Sequence, residues 1–269
     1  MLSTLRNHVT VLGNPEGPVL VFAHGFGCDQ NMWRRVLPAF EASHRIVLFD
    51  HVGAGRSDVS TYDKQKYSTL DGYAADLLQI CEELDLQDVT LVAHSVSAMM
   101  AVVAAIASPE RFARLVLVAP SPCYVDDRST GYVGGFSEED IEGLLESLDS
   151  NYFGWASAMA PMVMGKPEEP QLGEELTGSF CAADPEIASD FARVTFLSDS
   201  RDLLHQVRTP ALVLQCSDDM LAPTEVGDYV HEQLAGSTLV RLAATGHCPH
   251  ISAPDETSEA ILRYLRSPG

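Results

Sequence analysis

The stretch "VTLVAHSVSAMM" at residues 89–100 decides the fold class, because it joins a buried strand to a buried helix through a serine. The apolar run 89–94 is typical of a strand inside a parallel sheet, and residues 97–107 predict a central helix. A serine on such a sharp turn is the outline of a nucleophile elbow, G-x-S-x-G. Ala93 and Ser97 replace its two glycines, but both are small enough for the close approach of strand and helix there.

Other apolar runs outside this stretch extend the same pattern. They lie at 18–24, 45–50, 114–120, 210–216 and 237–244, with an edge strand at 8–13. Helical patterns at 70–84, 224–234 and 256–265 separate several of these runs. Strands that alternate with helices predict an α/β architecture with a mostly parallel, doubly wound sheet.

The alternation stops between about 121 and 199, where four helical patterns replace the strands. We expect them to form a lid inserted into a sheet core of residues 1–120 and 200–269. The lid is rich in large apolar side chains, most of which are expected to pack against one another. Pocket walls are expected to include Phe136, Trp155, Met159, Phe191 and Phe196, with His94 from the elbow.

The composition excludes several classes of function. A net charge of -21 would repel nucleic acid and anionic membranes, and no apolar run is as long as a spanning helix. The six cysteines form no C-x-x-C pair and suit no zinc site. Together with an N-terminus that lacks a secretion signal, they favour a cytoplasmic protein without a metal or cofactor.

A nucleophile needs a base and an acid, and the sequence offers both at strand ends. Ser95, then an aspartate at 218 or 219, then His247 is the chain order of the α/β-hydrolase triad. The acid of this fold usually stands four residues before a proline, which favours Asp219 over Asp218. The amides of Phe26 and Val96 are expected to bind the oxyanion. Ser97 as the nucleophile is disfavoured, because it lies inside the helix.

At this point the residues resemble a known family. The segments "HGFGCDQNMW", "FDHVGAGRSD", "HSVSAMM" and "GHCPHISAPDET" are similar to those of bacterial RsbQ-type α/β hydrolases and of the plant karrikin and strigolactone receptors. The resemblance spans nearly the whole chain, lid included, and places the triad on Ser95, Asp219 and His247. It implies slow cleavage of a small ester or lactone in an enclosed apolar pocket.

Two functions follow from these observations. The first is a serine hydrolase for a small, mostly apolar carboxylic ester or lactone. The second is a ligand-sensing signalling module with slow hydrolysis, for which the resemblance implies a regulatory phosphatase as partner. Both use the same triad, so sequence motifs do not separate them. A haloalkane dehalogenase is disfavoured because it would carry aspartate at position 95, whereas haloperoxidase-like activity, which keeps the triad, stays open.

Overall fold

The computed structural model describes residues 1–267, which form a seven-stranded sheet with helices on both faces. The strands are β1 (Thr10–Gly13), β2 (Val19–Ala23), β3 (Arg45–Leu48), β4 (Val89–His94), β5 (Phe112–Val118), β6 (Ala211–Asp218) and β7 (Thr238–Thr245). Their order is β1-β3-β2-β4-β5-β6-β7, and only β1 runs antiparallel to its neighbour. The predicted strands, the antiparallel edge strand among them, are therefore confirmed.

Ten α-helices lie within the described residues. They are α1 (Ser3–Arg6), α2 (Leu70–Glu83), α3 (Val96–Ala107), α4 (Glu138–Ser150), α5 (Tyr152–Met164), α6 (Pro170–Cys181), α7 (Pro185–Phe196), α8 (Thr224–Gln233), α9 (Pro249–Ser252) and α10 (Pro254–Arg266). Helix α7 begins as its sequence predicts: the Asp184 carboxylate accepts hydrogen bonds from the amides of Glu186 and Ile187, and Pro185 follows the cap.

The sheet is buried on both faces, as the continuous apolar runs predict. In β2, Val21 points into a core shared with α2, α3 and α8, whereas Phe22 points to the opposite core. Trp33 and Phe40 fill that second core together with α10. Because both faces are covered, polar groups of the strands reach a solvent-accessible site only at the strand ends.

Helices α4 to α7 lie between β5 and β6 in the chain and have an apolar cluster of their own. The two ends of this insertion meet through a bridge between Cys123 and Asp199. The insertion also reaches the loops at the sheet edge, since the Ser179 hydroxyl donates to the Gly27 carbonyl at 2.8 Å. The predicted division into core and lid stays a prediction, and its residues 268 and 269 lie outside the described residues.

Candidate active site

Ser95 sits on a sharp turn between β4 and α3. Its φ of +57° and ψ of -126° are uncommon for a residue with a side chain, and such strain persists only where the surroundings enforce it. The Ser95 amide donates to the Val118 carbonyl at 2.9 Å, and the Ser95 carbonyl accepts from the Ala98 amide at 2.8 Å. Ala93 is fully buried between Ala23 and Leu117, so its methyl group is accommodated while the turn keeps its form.

The Ser95 hydroxyl is the start of a hydrogen-bonded chain of three side chains. Ser95 Oγ lies 2.7 Å from His247 Nε2, and His247 Nδ1 lies 2.7 Å from Asp219 Oδ2. A carboxylate oxygen only accepts, so Nδ1 carries the proton and the lone pair of Nε2 faces the serine. The His247 and Asp219 side chains are 3% and 0% exposed. This arrangement suits removal of the hydroxyl proton as Ser95 attacks.

The Asp219 carboxylate is held by the backbone of its own loop. Its Oδ1 accepts from the amides of Leu221 at 2.9 Å and Ala222 at 3.2 Å, which leaves Oδ2 for His247. Asp218, its neighbour, is exposed and pairs with Thr245 at the end of β7. The aspartate that the spacing to Pro223 favours is thus the one that lies beside the histidine.

The loop that carries His247 touches the end of α5. The His247 amide donates to the Val163 carbonyl at 2.8 Å, and Thr245 Oγ1 donates to the Gly165 carbonyl at 3.1 Å. Gly246 has a φ of +79°, and a Cβ there would lie 2.0 Å from the Met164 carbonyl oxygen. Glycine is therefore required at this close approach between the insertion and the candidate base.

His94, at the end of β4, is hydrogen-bonded to the loop that carries His247. Its Nε2 donates to the His247 carbonyl at 2.8 Å, because a carbonyl cannot donate. Burial, together with the neighbouring His250 and His247, holds the pKa of His94 well below its usual value, so the ring is neutral near pH 7. His250 packs on Trp33 at 4.4 Å between ring centroids, and burial above all lowers its pKa to about 3.

The backbone amides of two residues beside Ser95 are free to donate a hydrogen bond. Val96 is the first residue of α3 and Phe26 lies in the loop after β2; within residues 1–267 neither amide donates a hydrogen bond. A Cβ on Gly25 would lie 2.6 Å from His94 Nδ1 and 3.1 Å from Ser95 Cβ, so only glycine lets this loop approach the serine. Free donors beside Ser95, one of them at the start of α3, suit oxyanion binding.

A small cavity lies beside Ser95 and His247, between the sheet edge and the insertion. Four of the residues that the sequence places in a pocket line this cavity: His94, Trp155, Met159 and Phe196. Phe26 lines it as well. The remaining walls are residues that were not predicted from the sequence: Cys28, Tyr124, Val163, Leu176, Phe180, Thr195, Leu221 and Cys248. Its walls are mainly apolar, which suits a small ligand with few polar groups.

Two predicted pocket residues do not line this cavity. Phe191 stacks on Tyr73 at 4.6 Å and lies behind Phe26 at 5.6 Å, so it fills the layer between insertion and sheet. Phe136 is fixed in the loop before α4, where its backbone bonds to Tyr124 and Asp126. Both side chains pack against other apolar groups, which is what most of the aromatic residues of this segment were expected to do.

Tyr124 is a polar wall residue that was expected from the sequence only to pack in the insertion. It is 1% exposed, and burial raises its pKa to about 12, although the nearby Ser95 hydroxyl acts in the opposite direction. Tyr124 is therefore a neutral phenol beside Ser95. Cys28 and Cys248 stay protonated for the same reason, since burial raises the pKa of both thiols. Cys28 stands two residues after Phe26 and Cys248 directly follows His247, and this proximity in the chain was the signal available in the sequence.

Other kinds of site find little support in the part of the chain that the structure describes. No group of three or more His, Cys, Asp or Glu side chains there is arranged to hold a metal ion. Among the helices of residues 1–267, none combines the length and apolar character needed to cross a bilayer. The cytoplasmic location stays a prediction.

Comparison with known proteins shows which family and which proteins this chain is similar to. A family described as "alpha/beta hydrolase fold" matches residues 18–254. The chain is 38% identical over 260 residues to Karrikin insensitive 2 receptor CA of Petunia hybrida, covering 96% of this chain and 95% of the relative. It is 37% identical over 259 residues to Strigolactone esterase D14 of Arabidopsis thaliana, covering 96% of each.

A solved structure is similar over almost the same span. A hydrolase from Oleispira antarctica superimposes with a TM-score of 0.95 at 40% identity, covering 99% of this chain and 97% of that one. The plant relatives confirm the predicted resemblance to karrikin and strigolactone receptors. The resemblance to RsbQ-type proteins stays a prediction.

Proposed function

The chain belongs to the α/β hydrolase fold family and is an enzyme of that family, and on this premise we propose that it cleaves a small, mostly apolar carboxylic ester or lactone. The observation that carries the proposal is the chain Ser95–His247–Asp219, with both hydrogen bonds at 2.7 Å, opening onto the apolar cavity. Relatives named as esterases support the same reaction class.

The mechanism is acyl transfer in two steps. Ser95 Oγ attacks the carbonyl carbon while His247 Nε2 takes its proton, and Asp219 stabilises the resulting imidazolium. The amides of Val96 and Phe26 bind the oxyanion of the tetrahedral intermediate. The C–O bond to the leaving alcohol breaks as His247 returns the proton to it. Water then attacks the acyl-Ser95 ester by the same route and releases the acid.

Ser95→Ala tests this proposal. The substitution removes the nucleophile, so we expect turnover of p-nitrophenyl acetate to fall to the level of the solvent reaction while the melting temperature is unchanged. Intact-mass spectra should show an acyl or phosphonyl adduct on the wild type and none on Ser95→Ala. Ser258→Ala, which removes a buried hydroxyl in α10, is the matched control. Wild-type turnover by Ser95→Ala would refute the mechanism.

A second candidate is a ligand sensor in which slow hydrolysis accompanies signalling. The observation that favours it is the 38% identity, over 96% of this chain, to the protein named Karrikin insensitive 2 receptor CA. A turnover far below the ~10 s⁻¹ of a typical enzyme would support this function. A neighbouring gene for a sensor phosphatase would support the regulatory phosphatase as its partner. Fast turnover of natural esters would favour the enzymatic role alone.

A further inference from the structure

We propose that Ser97 and His51 are positioning residues that fix the oxyanion loop, an inference that rests on the function proposed above. Both side chains are buried, at 0% and 1% exposure, and neither lines the cavity. Ser97 follows β4 and His51 follows β3. Both contact His24, which follows β2, the strand that lies between β3 and β4 in the sheet. The three residues therefore connect the carboxyl ends of three adjacent strands.

The carbonyl of His24 is held from two sides. Ser97 Oγ donates a hydrogen bond to it from the β4 side. From the β3 side, His51 Nε2 lies 3.1 Å from the same carbonyl oxygen and 2.8 Å from Ser97 Oγ. Because the carbonyl only accepts, His51 Nε2 carries a proton and donates to both oxygens. Without the Ser97 hydroxyl, the carbonyl would keep only the longer of its two bonds.

The imidazole of His24 links these contacts to the backbone amide of Phe26. Its Nε2 accepts from the His51 amide at 3.0 Å, so the proton is on Nδ1, which donates to the Gly25 carbonyl at 2.9 Å. The Gly25 carbonyl and the Phe26 N–H belong to one planar trans peptide unit. A bond that fixes the carbonyl therefore also fixes the direction of the Phe26 N–H, on which oxyanion binding depends.

The network consists of neutral groups. Burial lowers the pKa of His51 well below its usual value, with His24 acting in the same direction. Burial also lowers the pKa of His24, against the opposing effect of Asp50. Protonated His24 would turn its Nε2 proton against the His51 amide proton. Ser97 stands where an elbow of the form G-x-S-x-G carries glycine. A chain with that glycine therefore lacks the hydroxyl that donates to the His24 carbonyl.

Ser97→Ala is the first test. Losing one oxyanion donor costs ~10²–10³ in rate, and a donor that is present but no longer held should cost less, about tenfold in kcat. We expect KM to stay within about twofold, because the apolar cavity binds the ground state. Affinity for a small alkylboronic acid should fall in parallel with kcat, since its tetrahedral adduct on Ser95 places an oxygen in the oxyanion hole. Ser258→Ala should change neither value.

His51 supplies an independent pair of variants. His51→Gln keeps an N–H donor near the position of Nε2 and should retain most of kcat, whereas His51→Phe keeps only ring packing and should match Ser97→Ala. A kcat within about twofold of wild type in Ser97→Ala and His51→Phe, or a loss of kcat without weaker boronate binding, would overturn the positioning role. A wild type without Ser95-dependent hydrolysis would instead overturn the proposed function and this inference together.

Discussion

Replacing Asp219 by asparagine should abolish most of the hydrolysis by reversing the hydrogen-bonding direction of His247. The structure fixes how the new amide would lie. Oδ1 of Asp219 accepts from two backbone amides, so the amide oxygen must occupy that position and the NH₂ group must take the place of Oδ2. The NH₂ group donates, and His247 Nδ1 must then accept. The proton moves to Nε2, which faces Ser95 and can no longer take the hydroxyl proton.

The expected loss is about 10⁴ in kcat, the size found when the same exchange leaves a Ser-His-Asp triad intact but in the wrong tautomer. At 1.36 kcal/mol for each factor of ten, this is roughly 5.4 kcal/mol of transition-state stabilisation. KM should change little, because Asp219 is not among the residues that line the cavity.

The assay is steady-state hydrolysis of p-nitrophenyl acetate, with circular dichroism to verify the fold of each variant. Asp218→Asn is the matched control: Asp218 is exposed and its side chain is not part of the hydrogen-bonded chain. It should keep wild-type kcat. An Asp219→Asn protein with more than about a tenth of wild-type kcat, or a larger loss in Asp218→Asn, would refute the reasoning.

Two further predictions concern stability. Gly246→Ala should lower the melting temperature and kcat together, because its Cβ would lie 2.0 Å from a carbonyl oxygen at a φ of +79°. Gly143→Ala should instead raise stability by roughly 0.5–1 kcal/mol, because Gly143 is an exposed position of α4 with open space around it. Equal melting temperatures for both variants would contradict this. Acid should destabilise the fold below the usual histidine pKa of 6.5. Buried histidines with lowered pKa values take up protons mainly after unfolding, so the unfolded state binds more protons than the folded state. The free energy of unfolding should then fall by up to about 1.4 kcal/mol per pH unit for each ring. The rings are those of His24, His51, His94 and His250. A urea midpoint that is the same at pH 7.5 and pH 5.5 would count against this reasoning.

The strands and helices could be predicted because their signals are local. A buried parallel strand is recognised as an apolar run of four to eight residues. The start of a helix is marked by its capping residues, as Asp184 and Pro185 mark the start of α7. The strand ends agree with the structure to within about two residues. The α/β-hydrolase fold followed from the order of these elements, and the family comparison confirms it.

The triad positions could also be proposed from the sequence, because each follows a strand of one parallel sheet. The carboxyl ends of parallel strands meet at one edge, so Ser95, Asp219 and His247 had to lie near one another once the sheet was assigned. The spacing of four residues to Pro223 favoured Asp219 over Asp218 as the acid. Their roles in catalysis stay a proposal until the variants are measured.

Which apolar side chains line the cavity was decided by tertiary structure alone. Trp155 and Phe191 look alike in the sequence, yet one faces the cavity and the other stacks on Tyr73. The difference arises from which face each helix, α5 or α7, turns toward the sheet. Contacts between segments that are distant in the sequence set this orientation. The link from Ser97 through His24 to the Phe26 amide has the same origin: sequence determined which strand each residue follows, while packing of the three strand ends brought their atoms within hydrogen-bonding distance.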